Sequence, residues 1–170
     1  MESRDVARNR DAEANTLATP PVSAAEVPPR KVASSYPPEF ARRMGGREKR
    51  ALGDHFGLRN FGVNFTRLEP GAVSALQHRH SRQDEFIYVL EGGITLVSGA
   101  EEHVLTPGMC AGFPADGASH HLENRGDRPA LYLEVGDRSA GDEVTYPFDD
   151  LAAHRTENGW RFTRKSGEPY

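Results

Sequence analysis

Gln77-His78-Arg79-His80-Ser81-Arg82-Gln83-Asp84-Glu85 is the stretch on which the reading of this chain turns. In an extended strand residues i and i+2 share a face, so His78 and His80 project together and Arg79 points away. Residues 81–84 form a polar connection of hairpin length, and Glu85 opens the next strand. A strand returning there can set one carboxylate beside two imidazoles. Downstream, Gly117-Ala118-Ser119-His120-His121-Leu122-Glu123-Asn124 can bring a third imidazole from another strand. Three neutral nitrogens and one hard carboxylate suit a divalent first-row ion: Fe, Mn or Ni ahead of Zn or Co. Such a set leaves coordination positions open, which separates catalytic from structural metal sites. A His-x-His pair alone carries little weight; the nearby carboxylate and second histidine group give it meaning.

Outward from this stretch, the chain reads as short strands cut by turn residues. The expected strands are 61–69, 73–80, 85–91, 94–98, 102–105, 109–113, 120–124 and 130–135. Between them lie Pro70-Gly71, Gly92-Gly93, Gly99, Pro107-Gly108, Asp116-Gly117 and Gly126-Asp127. Many short alternating strands with frequent turns predict an all-β barrel or sandwich at 61–136. The lead-in, 36–60, is helical or irregular, with a short helix at 38–44 stopped by Gly45-Gly46. The basic cluster Arg42, Arg43, Arg47, Lys49 and Arg50 is interleaved with Glu39, Glu48 and Asp54, and reads as solvated surface. Residues 1–35 contain none of the chain's fourteen aromatic residues and read as a disordered tail. Residues 137–170 are expected to wrap the barrel exterior, with a helical turn near residues 150–154.

The chain has 170 residues, with 21 Lys+Arg against 25 Asp+Glu and a net charge of −4. One domain fits this length. The acidic balance gives no electrostatic case for nucleic acid or for an anionic membrane. No apolar run approaches the roughly 20 residues of a membrane span, and the N-terminus lacks an apolar signal region, so a cytoplasmic protein is expected. The single cysteine, Cys110, excludes an internal disulfide and four-cysteine zinc sites, and reads as a small buried hydrophobe. His55, His103 and His154 have no partners at metal-ligand spacing. Phosphate-cradling glycine loops and nucleophile elbows are absent.

The two histidine groups resemble the paired signature motifs of the cupin superfamily. The first runs Gly71, His78-Arg79-His80, Glu85 and Gly92, with one extra residue between Gly71 and His78. The second runs Gly108, Pro114, Gly117, His120 and Asn124, with one extra residue between Pro114 and Gly117. The resemblance covers about residues 60–136 and is closest to small bacterial single-domain cupins. It implies a double-stranded β-helix, or jelly-roll barrel, and metal ligands His78, His80, Glu85 and His120. His121 is the nearest competitor for the last place, although strand alternation turns it to the other face.

Alternation from Glu85 sets Ile87 and Val89 on the ligand face and Phe86, Tyr88 and Leu90 outside, a strip that a homodimer would cover. On the last strand, Tyr132 and Glu134 share one face. If that face is inward, Glu134 is a candidate acid/base, with Glu85 beside it at the ion and Tyr132 as hydrogen-bond donor. The leading functional expectation is dioxygenase or oxidase chemistry on a small oxygen-bearing substrate. The alternatives are a Lewis-acid isomerase, epimerase or lyase on a sugar or hydroxy acid, and a non-catalytic small-molecule binder. A sugar-phosphate substrate would need inward cations, for which Arg67 is the strand candidate.

Overall fold

The computed structural model describes residues 19–32, 34–157 and 159–170. Alternation of apolar and polar residues beyond Phe61 produces antiparallel strands, because only that pattern buries one face of a pleated sheet and solvates the other. In chain order these are β1 (Arg47–Ala51), β2 (Phe61–Leu68), β3 (Arg79–His80), β4 (Glu85–Glu91), β5 (Ile94–Ser98) and β6 (Glu101–Leu105). They continue as β7 (Cys110–Phe113), β8 (His120–Glu123), β9 (Ala130–Asp137), β10 (Glu143–Thr145), β11 (Ala152–Thr156) and β12 (Gly159–Thr163). Helices α1 (Pro38–Ala41) and α2 (Leu52–His55) flank β1. Among the described residues no helix is long and apolar enough to cross a membrane.

Three sheets enclose the interior, with strand orders β1-β2-β9-β4-β7, β12-β11-β10-β3 and β6-β5-β8. The main core is built from inward positions of β2, β4, β5, β8 and β9. Leu68, Val89, Ile94, Ala130 and Tyr132 are fully buried there, with Ile87, Leu122 and Phe113 beside them. Burying each large side chain contributes about 1.5–3 kcal/mol, so the alternation fixes the register of every central strand. The β4–β5 turn requires glycine at residue 92. Its φ is +75°, and a Cβ there would lie 2.7 Å from the Pro129 carbonyl oxygen.

A second core lies at the cavity end of the barrel. Phe40 and Met44 from the lead-in pack with Leu76, Val144, Tyr146, Leu151 and Ala153. This cluster explains the course of 137–170: rather than wrapping the exterior, three of its segments pair as β10, β11 and β12, and β10 joins β3 through Val144↔His80 and Thr145↔Arg79. The helical turn expected near residues 150–154 is replaced by β11, because Leu151 and Ala153 bury into this core.

Other expectations are also revised. The strand expected over 73–80 reduces to β3, preceded by bridges Val73↔Glu123 and His78↔His120. Within the expected disordered tail, residues 1–18 lie outside the described residues. The rest of it, 19–32 and 34–35, follows a defined path along β1. Val27 is buried, the Lys49 carbonyl accepts from the Arg30 amide at 2.9 Å, and the Arg50 guanidinium donates to the carbonyls of Ala25 and Val27. Local hydrophobicity could not reveal this, since the order comes from backbone groups meeting β1. The basic cluster is likewise not all solvated surface: it contains β1, which pairs with β2 and turns Arg47 and Lys49 to one face. Cys110 is exposed rather than buried, because β7 alternation places it outside, opposite Tyr88.

Asn124 ends β8 as a backbone surrogate. Its amide nitrogen donates to the carbonyls of Leu68 (2.9 Å) and Arg128 (2.7 Å), and its carbonyl oxygen accepts from the Gly126 amide (3.0 Å). The residue is 1% exposed, so Asn124→Ala leaves buried groups unpaired and is expected to cost about 1–3 kcal/mol. Urea unfolding measures this; an unchanged midpoint would show that water replaces the side chain.

Candidate metal centre

Four residues from three strand regions meet at one carboxylate. His78 lies just before β3, His80 ends β3, Glu85 opens β4 and His120 opens β8. The Nε2 atoms of His120, His78 and His80 lie 3.1, 3.4 and 3.6 Å from the same oxygen, Glu85 Oε2. Donor atoms of His78, His80 and Glu85 all fall within 4.8 Å of one another. His78 and His120 are joined by the backbone as well, each amide donating to the other's carbonyl at 3.1 and 2.8 Å. His121, the rejected competitor, faces away and meets Glu123 Oε1 at 2.8 Å.

Each imidazole is held by a different device. The Leu76 carbonyl accepts from His78 Nδ1–H at 2.9 Å, which leaves the Nε2 lone pair facing Glu85. His80 Nδ1–H donates to Asp142 Oδ2 at 2.6 Å. His120 stacks on Phe113 with ring centroids 3.6 Å apart and planes within 3°. A divalent ion with metal–nitrogen bonds of about 2.1 Å sets neighbouring ligand atoms about 3 Å apart, close to the spacing found. Glu85 Oε2 is buried and makes no hydrogen bond of good geometry. A buried, unsatisfied carboxylate oxygen ringed by three aimed nitrogens fits a cation, and these four residues could hold one.

The charges are strongly coupled. Burial pushes Glu85 up, yet the close approach of His120 and His78 and the fields of His78 and His80 hold its carboxyl well below the usual range. Burial lowers His78, but Glu85 outweighs it and the imidazole is raised. At His120 burial prevails over Glu85 and the imidazole is lowered. The cluster therefore keeps its carboxylate ionised and needs positive charge from protons or from an ion.

Asp142 escaped sequence reasoning. It is completely buried, and Oδ1 accepts from the amides of Arg82 and Gln83 and from Ser81 Oγ while Oδ2 receives His80. The pairing of β10 with β3 places it there, two residues before Val144. Its one visible signal is an acid after Gly141, a turn glycine at φ +70°.

A cavity of about 280 Å³ opens over the centre. His78, His80, Glu85 and His120 lie in its wall together with Glu134, and Tyr36, Tyr146, Trp160 and Phe162 form an aromatic side. Both Glu134 oxygens receive Lys49 Nζ, at 2.7 and 2.8 Å, and Oε1 also receives Asn64 Nδ2 at 3.1 Å. Tyr132 is fully buried behind Glu134 rather than in the cavity wall, its hydroxyl 3.5 Å from Oε2. Burial, reinforced by Glu134, pushes this phenol well above its ordinary pKa. It therefore remains a donor. Arg67 does not face inward: it is half-exposed and pairs with Glu69 at 2.7 Å. The inward cations, Arg47 and Lys49, come instead from β1. His103 and His154 pair with surface acids, and His55 packs on Phe56; all three lie outside the cluster.

The barrel and its His-and-carboxylate centre define a class, and the comparisons agree. The Cupin_2 cupin-domain model matches residues 64–136, and the chain belongs to the cupin superfamily. A structure from Silicibacter pomeroyi, described as a sugar phosphate isomerase from a cupin superfamily, is 43% identical over 89% of this chain and 96% of its own, with a TM-score of 0.83. A putative sugar phosphate isomerase from Acidithiobacillus ferrooxidans is 28% identical over 79% of this chain and 94% of its own, with a TM-score of 0.67. The polyketide cyclase RemF from Streptomyces resistomycificus shares the fold at 20% identity, covering 70% of this chain and 79% of its own, with a TM-score of 0.58. No curated protein matches the chain.

Asp142→Asn is expected to weaken metal binding about 10–100-fold. The amide must point its NH₂ either at His80 Nδ1–H, turning that imidazole to the wrong tautomer, or at the Arg82 and Gln83 amides. Chelator competition with Zn²⁺ or Co²⁺ measures the change, with circular dichroism as the control for folding.

Proposed function

We propose that this chain is a metal-dependent enzyme that interconverts the aldose and ketose forms of a small phosphorylated sugar. His78, His80, Glu85 and His120 hold one divalent transition ion, with Fe, Mn or Ni favoured on the donor set and Zn or Co possible. The observation that carries the reading is the shared cavity: the four-residue centre, an independent carboxylate at Glu134 and the cations of β1 line one space. The names of the two most similar structures described above support it further.

When bound, the ion supplies Lewis-acid polarisation of the substrate carbonyl. The chain's own residues supply the proton transfer. A Glu134 oxygen takes the proton from the carbon beside the carbonyl and returns it to the former carbonyl carbon. The hydroxyl proton on the carbon that lost its hydrogen passes to the former carbonyl oxygen, so the isomers exchange with atoms conserved and no oxidant. Lys49 and Asn64 fix the carboxylate, and Tyr132 supports it from behind. Trp160 and Tyr146 narrow the cavity around so small a substrate.

Oxygen-dependent chemistry, the leading expectation from sequence, is the second reading, and the donor set alone accommodates it. Strict anaerobiosis separates the two: an isomerase keeps its full rate without dioxygen. Solvent deuterium entering the sugar's C–H positions marks the proton transfer. Glu134→Gln is expected to lower kcat about 10²–10⁴-fold while metal content by elemental analysis stays unchanged. His80→Ala is expected to lose both metal and turnover. Activity that vanishes anaerobically would transfer the proposal to the oxidase reading.

We also propose a homodimer. Register places Val63, Val135 and Phe86 in one row and Phe65, Leu133 and Tyr88 in the next, all on the outer face of the five-stranded sheet. Phe86, Tyr88 and Leu90 stay 41%, 39% and 40% exposed, an apolar strip that a second copy would cover. Tyr88→Glu is expected to shift sedimentation from dimer to monomer without loss of the bound ion.

A further inference from the structure

The segment running along β1, residues 19–32 and 34–36, does more than cover a sheet edge. It brings Arg30, Ser34, Ser35 and Tyr36 to the mouth of the cavity, next to Arg47 and Lys49. Its course is pinned by the buried Val27, by Arg50 bonding two of its carbonyls, and by the Arg30 amide donating to Lys49. The backbone that carries Arg30 is therefore fixed beside the cavity.

The charge balance of the cavity opposes that of the chain. Its wall holds three cations, Arg30, Arg47 and Lys49, against two carboxylates, Glu85 and Glu134, while the whole chain carries −4. A divalent ion at the centre raises the excess to three positive charges. Among the described residues Arg30 meets no carboxylate within ion-pair distance; its guanidinium donates to Asn64 Oδ1 at 2.9 Å, and it is exposed at the mouth. Asn64 and Lys49 both donate to Glu134. Arg30 thus stands at the outer end of a polar chain whose inner end is the proposed base. An arginine fork with unused donors is suited to a phosphate monoester.

We propose that Arg30, with the hydroxyls of Ser34 and Ser35, forms the subsite for the substrate's phosphate, and that the N-terminal segment is the specificity element of this enzyme. The proposal rests on the reading of this cavity as the substrate site, and not on the reaction performed there. The anion enters at the mouth while the sugar carbons reach toward the centre. Loss of the segment removes preference for the phosphate ester and leaves the centre intact.

The test is calorimetric titration of the metal-loaded full chain with ribose 5-phosphate and fructose 6-phosphate, each paired with its unphosphorylated sugar. The phosphate esters are expected to bind at least about tenfold more tightly, with a preference that weakens as salt rises. Arg30→Ala is expected to remove most of that preference with unchanged ion content, Arg30→Lys to keep part of it, and Arg128→Ala, an exposed control outside the cavity wall, to change nothing. Equal preference in wild type and Arg30→Ala overturns the proposal, as does wild-type protein that binds neither ester better than its sugar. Tighter binding of ribonate than of the esters assigns the subsite to a carboxylate and overturns it for phosphate. Because the readout is binding, an absence of isomerisation would defeat the reaction assigned above while leaving this result to stand or fall alone.

Discussion

Glu85 sets the terms for the rest of the molecule. Its carboxylate is buried at the start of β4, one oxygen is left without a hydrogen bond, and three imidazole nitrogens aim at that oxygen. Removing a carboxylate from water is tolerable only with compensating positive charge, so the fold must keep those nitrogens convergent. It does so with supports of different kinds: a backbone carbonyl behind His78, a buried aspartate behind His80 and a stacked phenyl ring against His120. Rigid support of this sort keeps donor atoms poised before a ligand arrives, which lowers the reorganisation needed on binding.

Around this centre the barrel and its extensions divide the work. The barrel, residues 61–136, carries all four converging side chains. The segments outside 61–136 shape the cavity above them: β1 contributes Arg47 and Lys49, the N-terminal segment Arg30, and the C-terminal strands Tyr146, Trp160 and Phe162. Cupin barrels host many chemistries, so the fold by itself leaves the reaction open. In this chain the distinguishing chemistry comes from the additions, where a cationic rim and an aromatic wall enclose a space of about 280 Å³. That combination is the ground for the small anionic substrate proposed above.

Most of the barrel was legible from the amino-acid order because its signals are local. Period-two alternation placed β2, β4, β5, β8 and β9 within two residues at either end, and it turned Ile87 and Val89 inward and Phe86, Tyr88 and Leu90 outward. The same alternation misplaced little except at edges. Cys110 was assigned the wrong face because β7 is a four-residue edge strand with too few repeats to set a phase. Arg67, by contrast, lies on β2 between the buried Thr66 and Leu68, and so faces outward. Residues 73–77 read as strand but run between isolated bridges, since too few of their backbone groups find a partner strand.

The amino-acid order by itself therefore determined the β class of the fold, the pairing of two histidine groups with one glutamate, and the inward face of the central strands, each written in spacings of a few residues. Tertiary structure alone decided that Asp142 stands behind His80, that a basic run becomes the cavity-facing strand β1, and that an aromatic-free N-terminal stretch lies along it. Those contacts join residues 62 and 19 positions apart in the cases of His80 with Asp142 and Arg30 with Lys49. Hydrogen bonds between backbone segments and a buried carboxylate depend on where the chain returns in space, and no local pattern of hydrophobicity or charge encodes that return.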